Sequence, residues 1–277
     1  MTTSETSTTD ALLAAVGNGV RIVELGHPFF TGMPCSPNHP GFRMSLIRRH
    51  GDLVRPDGGS AANEIIVTGG HVGTHVDALS HVSHDGVLHG GVDAAASQTG
   101  GRFQQLGAEH TPALLTRGVL LDVAATRGVE VLPAGYGVTA RDLADAADAA
   151  GVQVRRGDVA LIRTGWARHF ADPTTYLGQS DGVPGAAPDA GQWLADAGVV
   201  AAGADTTAFE QIRPGAGHSV LPVHGILLVE AGIHILEHLD LEAASAQGLT
   251  EFVFVMAPLR IVGGTGSPIR PFAAVPA

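Results

Sequence analysis

The chain has 277 residues, 44% of them hydrophobic, which is enough for a sizeable core within one large α/β domain. Its formal net charge is −11 and all 16 of its basic residues are arginine. That balance argues against nucleic acid or an anionic membrane as partner, and the lack of lysine excludes Schiff-base chemistry, a P-loop lysine and a lysine general base. Cys35 is the only cysteine, so no intramolecular disulfide can form, a thiolate metal site is not expected, and the compartment is read as cytoplasmic.

Met1 to Asp10 is rich in Ser and Thr, carries no positive side chain and precedes no long apolar stretch, so it reads as a frayed tail rather than a secretory signal. Asp10, the run Ala11 to Val16 and then Gly17 predict a short helix with an acceptor at its start and a glycine stop. Residues 1–18 are therefore set apart as tail and short helix, and 19–277 are expected to form one domain. No apolar run approaches the roughly 20 residues of a membrane helix, which predicts a soluble protein.

Arg21 to Leu25 reads as a strand. Gly26 to Gly41 holds Pro28, Pro34, Pro37 and Pro40 around Phe29 and Phe30, which is loop chemistry with exposed aromatics of the kind that borders sites. Phe42 to Arg48 and Asn63 to Thr68 have strand character. Gly118 to Val123, Asp158 to Thr164 and Val199 to Ala204 read as buried strands. They are separated by an alanine-rich helix with a capping-box start at Thr139 to Asp142 and by a second helix over Pro188 to Ala197. Alternation of strand and helix is the α/β signature. Glu251 to Ala257 and Leu259 to Val262 are expected as strands before a Gly/Pro-rich tail.

The second strand-like segment leads into His71-Val72-Gly73-Thr74-His75-Val76-Asp77-Ala78-Leu79-Ser80-His81, which places three histidines and a carboxylate within eleven residues. That is the donor density of a divalent metal site. In extended chain His71 and His75 would lie too far apart to share one ion, because a strand rises about 3.3 Å per residue. The chain must bend between them. Gly73 suits the bend, Thr74 can hold it by a local hydrogen bond, and His75 and Asp77 then alternate onto one face. His81 stacks on the side of Asp77 if the chain turns helical there. It is read as a general base, with a fourth ligand or an outer hydrogen-bond partner as alternatives.

A second set of donors lies in Pro222 to Leu228 and Ile233 to Leu239, where His224 and Glu237 are the candidates; by pattern alone this is an amphipathic helix. His84, Asp85 and His89 read as solvated loop residues. Cys35 reads as a bystander. No G-x-S-x-G elbow is present, and Gly263-Gly264-Thr265-Gly266 reads as a turn, without the strand-then-helix context of a dinucleotide site.

The pattern His71-x-Gly73-Thr74-His75-x-Asp77-x-x-x-His81 resembles the signature of the metal-dependent cyclase family, which includes bacterial kynurenine formamidase and isatin hydrolase. The segments around His224 and Glu237 and the ending Gly264-Thr265-Gly266-Ser267-Pro268-Ile269-Arg270-Pro271 resemble further blocks of that family. The resemblance implies a swivelling β/β/α fold and a first metal held by His71, His75 and Asp77. In formamidase-like members the aspartate bridges to a second metal, completed here by His224 and Glu237, whereas isatin-hydrolase-like members use one manganese. It also implies His81 as catalytic acid/base, and a homodimer or homotetramer in which a neighbour's aromatic loop closes the pocket, with Phe29 and Phe30 as the candidates. Two departures are visible: Leu79 stands where the family often has Pro, and the chain is longer than the compact formamidases, which favours the isatin-hydrolase-like branch.

The function expected is metal-dependent hydrolysis of a C–N amide bond in a small cyclic amide, isatin- or lactam-like, with Mn2+ favoured and Zn2+ as alternative. Phe29, Phe30 and Phe103 are candidate walls for a flat ring. The competing readings are N-formylkynurenine hydrolysis, a metal-dependent lyase or dehydratase acting through an enolate, and a non-catalytic metal-binding scaffold.

Overall fold

A computed structural model describes residues 8–277; the expected frayed tail over Met1–Asp10 falls mostly outside them. The expected first helix is present as α1 (Thr8–Gly17). Nine strands make one mixed sheet: Val20–Glu24 (β1), His75–Asp77 (β2), Leu114–Asp122 (β3), Val159–Arg163 (β4), Ala201–Ala204 (β5), His234–Glu237 (β6), Glu251–Met256 (β7), Gly266–Pro268 (β8) and Phe272–Pro276 (β9). Their spatial order is β1-β9-β7-β3-β4-β5-β6-β2-β8. The four central strands β3 to β6 run parallel, and the flanking pairs are antiparallel.

Strands β4, β5 and β6 are buried along their whole length, which is why β4 and β5 read as apolar or small-residue runs without alternation. One helix crosses from β3 to β4 and another from β4 to β5. The first, α2 (Ala140–Ala150), opens on the expected capping box: Thr139 Oγ1 accepts from the Asp142 backbone while the Asp142 carboxylate accepts from the Thr139 N–H. The second, α3 (Pro188–Ala197), starts with proline in its first turn, where the missing N–H costs nothing. A third helix runs from Pro222 to His224 and continues as a wide, π-type helix over Gly225–Ala231. These helices cover one face through Leu143, Leu194, Val223 and Leu227, while Leu25, Leu239, Phe254 and Ile269 fill the other.

Two expected elements differ. Leu259 to Val262 is not a strand; Leu259 and Val262 are exposed and the segment only connects β7 to β8. Ile235 to Glu237 belongs to strand β6 rather than to an amphipathic helix. A short apolar run buried on both faces has no periodicity to distinguish strand from helix. Among the described residues no helix is long and apolar enough to cross a membrane.

Candidate metal centre

Strand β2 lies between β6 and β8, with Glu237 directly opposite His75 and Leu236 opposite Val76. Alternation sends Val76 and Leu236 into the core and leaves His75, Asp77 and Glu237 on one face, where cross-strand neighbours touch. The π-type helix begins at His224, whose imidazole reaches the same face. The approach to β2 turns at Gly73, with φ +64; a Cβ there would come within 2.4 Å of Met33 Cε and 2.8 Å of Phe29 Cζ. Thr74 acts at longer range than expected: its Oγ1 accepts from the His27 N–H at 2.9 Å and donates to the His238 carbonyl at 2.6 Å.

The ring orientations follow from the acceptors around them. His75 donates Nδ1–H to the Gly73 carbonyl at 2.7 Å, and His224 donates Nδ1–H to Glu210 Oε1 at 2.6 Å. Each therefore turns its Nε2 toward the facing carboxylates. His75 Nε2 lies 3.4 Å from Asp77 Oδ1 and 3.5 Å from Glu237 Oε2. His224 Nε2 lies 3.7 Å from Asp77 Oδ2 and 3.4 Å from Glu237 Oε1. His75 Nε2 and Asp77 Oδ2 are buried with no hydrogen-bond partner. Bare acceptors that converge in a dry site repel one another unless a cation lies between them, so the donor set fits a divalent metal.

His71 joins the cluster differently. Its Nδ1 donates to Asp77 Oδ1 at 2.7 Å and its Nε2 meets Thr265 Oγ1 at 2.9 Å. Gly266 makes room for this ring, since a Cβ there would lie 2.5 Å from the imidazole. His81 follows a tight turn closed by its N–H on the Ala78 carbonyl, not a helix. Its ring stacks on His71 with centroids 3.8 Å apart, and among the described residues nothing hydrogen-bonds it. His71, Asp77 and His81 each offer a donor atom within 4.8 Å of the other two.

Charge in this site is unbalanced. Burial opposes charging of His75, but Asp77 and Glu237 outweigh it and raise its pKa. Burial likewise opposes charge on His224, yet Glu210 and Glu237 raise it to about 10. Asp77 stays well below the usual carboxylate range despite burial, held there by the histidines around it. Three buried carboxylates, Asp77, Glu210 and Glu237, thus draw protons onto the rings that would otherwise face a divalent ion. His81 goes the other way: burial pushes it down to about 3, with Asp77 opposing and His71, His224 and His75 adding to the shift. It is a neutral imidazole beside the cluster.

The structure brings together His71, His75, Asp77, His81, His224 and Glu237. It does not bring Phe29, Phe30 or Phe103 to the cavity over the cluster, which is lined by Ser36, His39, Thr207, His218 and His238 together with the histidines above. Phe29 packs edge-on against Phe42 near the Gly73 turn, Phe30 is partly exposed against Phe170, and Phe103 sits on a short hairpin bonded to the Gly263 carbonyl. Aromatic character alone could not separate these packing positions from a site wall. A cavity of about 790 Å³ lies between Glu24, Phe29, Leu259 and Arg270 and contains none of the cluster. The unpartnered donor atoms lie beside the small polar cavity instead.

The sequence profile of the Cyclase family, described as "Putative cyclase", matches residues 23–211. The chain belongs to this family. Over 138 residues, 49% of this chain, it is 28% identical to an isatin hydrolase of Roseibium aggregatum, and it spans 51% of that relative's length. A solved structure described as a novel cyclase is 28% identical with a TM-score of 0.82, covering 96% of this chain and 93% of that one. Isatin hydrolase A from Labrenzia aggregata, bound to benzyl benzoate, is 24% identical with a TM-score of 0.74, covering 98% of this chain and all of that one; at this identity the likeness is one of fold. The family profile covers the histidine motif and Glu210 but stops before His224 and Glu237, which the cyclase-like fold carries to the same site.

Several residues of the site carried no signal of their own in the sequence. Glu210 lies in Ala208-Phe209-Glu210 with no spacing that ties it to His224, and Thr265 was one residue of an apparent turn. His238 follows Glu237 directly, and adjacent residues on a helix or strand normally face apart, so nothing in the sequence signals that both reach one site.

Proposed function

We propose that this cyclase-family chain is a metal-dependent hydrolase that opens a C–N amide bond in a small cyclic amide of the isatin or lactam kind. The reading rests above all on one observation: the unpartnered His75 Nε2 and Asp77 Oδ2 converge with His224 Nε2 and the Glu237 carboxylate beside a neutral histidine, His81, that nothing hydrogen-bonds among the described residues. The partial alignment with an isatin hydrolase supports the choice of substrate class.

His75, Asp77, His224 and Glu237 would hold the ion, with His71 fixing Asp77. A divalent cation supplies Lewis acidity, polarising the amide carbonyl and making water a nucleophile near neutral pH. His81 takes the proton of the attacking water. As the C–N bond breaks, it returns that proton to the leaving nitrogen. Two imidazoles and two carboxylates suit Mn2+, which is favoured, and Zn2+ as the alternative.

The cavity over the cluster is about 40 Å³, room for a water or two but not for a ring. Beside it a cleft of about 390 Å³, bounded by Leu177, Gln179, Ile212 and Gly217, shares the Ser36 and His218 walls. A flat ring docks there and reaches the cluster with its carbonyl. Ring opening of isatin, assayed before and after chelation, tests the reading; an activity unaffected by complete metal removal contradicts it.

A formamidase acting on N-formylkynurenine is the second reading. It is favoured by the presence of two donor triads, His75-Glu237-His238 and Asp77-His224-Glu237, which share one carboxylate as a two-ion centre does. Measured metal stoichiometry and the preferred substrate separate the two.

The partner we propose, besides the small amide, is a second copy of the chain. The hairpin of Arg43–Arg48 with Asn63–Val67 is exposed on every residue, including Met44, Leu46, Ile47, Ile65, Ile66 and Val67. An isolated two-stranded hairpin with apolar side chains on both faces is marginal in water. Light scattering that finds only monomers in the active protein contradicts this assembly.

A further inference from the structure

We propose that His238 is an additional ligand of the metal centre, supplying a nitrogen on the His75 side that the motif does not contain. The inference rests on the metal-centre reading above and goes beyond its ligand set of His75, Asp77, His224 and Glu237.

His238 is one of four non-glycine residues with positive φ among the described residues, at +54. Few residues other than glycine adopt the left-handed region, histidine among those that do more often, and His238 is held there by its surroundings. Those surroundings fix it on both sides. Its N–H donates to the Thr206 carbonyl at 3.0 Å and its carbonyl accepts from Thr74 Oγ1 at 2.6 Å. Thr74 is the threonine of the histidine motif, so the turn that aims His75 also clamps the backbone of His238.

The clamp has a consequence for the side chain. In regular β geometry residues 237 and 238 would point to opposite faces. With the backbone of His238 in the left-handed region, its ring instead comes round to the side of Glu237 and lines the cavity over the cluster. One of its nitrogens, a carboxylate oxygen of Glu237 and a nitrogen of His75 all lie within 4.8 Å of one another. The ring is buried, its Nδ1 has no hydrogen-bond partner, and its Nε2 has only a long contact of 3.4 Å with Thr207 Oγ1. A buried imidazole held in the left-handed backbone region, with one nitrogen unpartnered and a nitrogen in reach of His75 and Glu237, has the character of a ligand. A packing residue would have both nitrogens satisfied.

An added imidazole changes the metal the centre prefers. Nitrogen donors favour Zn2+ and Co2+ over Mn2+, whose oxygen preference is met by Asp77 and Glu237. The test compares wild type with His238→Asn and His238→Gly, both compatible with positive φ, by competition titration with Zn2+ and Mn2+ and by the visible spectrum of the Co2+ form. The expected result is at least a tenfold loss of Zn2+ affinity in both variants, a smaller loss for Mn2+, an altered Co2+ spectrum, and a metal-free melting temperature equal to or above that of wild type. Unchanged Zn2+ affinity and Co2+ spectrum in both variants, with wild type binding normally, overturn the role of His238 and leave the centre standing. A wild-type protein that binds none of the three metals overturns both.

Discussion

The imidazole of His224 donates Nδ1–H to Glu210 Oε1 at 2.6 Å, and the same carboxylate accepts the backbone N–H groups of Val223 and His224 at 3.0 Å. Glu210 thereby fixes the helix start, the ring plane and the tautomer together, and leaves Nε2 facing Asp77 and Glu237. Outer carboxylates of this kind sustain metal affinity by about 10- to 100-fold. Glu210→Gln is expected to weaken metal binding within that range, as read by competition with a chelating dye, while the His75 side is unchanged in the Co2+ spectrum.

His81 is placed to move a proton without holding the ion. Its replacement by alanine is expected to lower turnover by about 10² to 10⁴-fold, the usual contribution of a positioned acid or base, with metal content unaltered. Loss of metal in His81→Ala, measured by elemental analysis, would instead make it a ligand alongside Asp77.

Gly73 is needed for its backbone. At φ +64 a side chain is strained, and a Cβ would sit against Met33 and Phe29. Gly73→Ala should cost at least about 1–3 kcal/mol, the typical price of a forced left-handed residue, read as a lower urea midpoint. A variant with wild-type stability would show that the turn can be redrawn.

Asp142 makes a pH-dependent contribution far from the site. Burial opposes its ionisation, but the Thr139 hydroxyl and N–H, Arg127 and Tyr136 outweigh this and hold its pKa below the usual value. A depressed carboxylate binds fewer protons folded than unfolded, so its stabilisation is present above the unfolded value near pH 4 and is lost as pH falls through the folded one. Asp142→Ala should lose about 1–2 kcal/mol at pH 7, the range for a helix cap, and show a flatter stability profile below about pH 4. An unchanged acid slope would assign that region to other carboxylates.

Much of this architecture could be read from particular residues. The capping box at Thr139 and Asp142, the proline start at Pro188 and the uniformly apolar strands β4 and β5 are local signals, and each appears where it was expected. The alternation of His75 and Asp77 on one face needed only a strand. Strand β6 was missed because four buried residues carry no period, and Glu210, Thr265 and His238 were missed because their roles depend on partners 14 to 194 positions away in the chain. The aromatic residues were legible only as a type: Phe29, Phe30 and Phe103 lie outside the small cavity over the cluster, and aromatic character alone does not distinguish a packing position from a wall.

The most direct test of the central claim is metal content by elemental analysis of protein purified without added metal, paired with isatin and N-formylkynurenine hydrolysis before and after chelation. The account expects at least one divalent ion per chain, ring opening of isatin or a related cyclic amide, and loss of that activity on chelation with recovery on adding Mn2+ or Zn2+. Hydrolysis that survives complete removal of metal, or a chain that takes up no divalent ion, would contradict it.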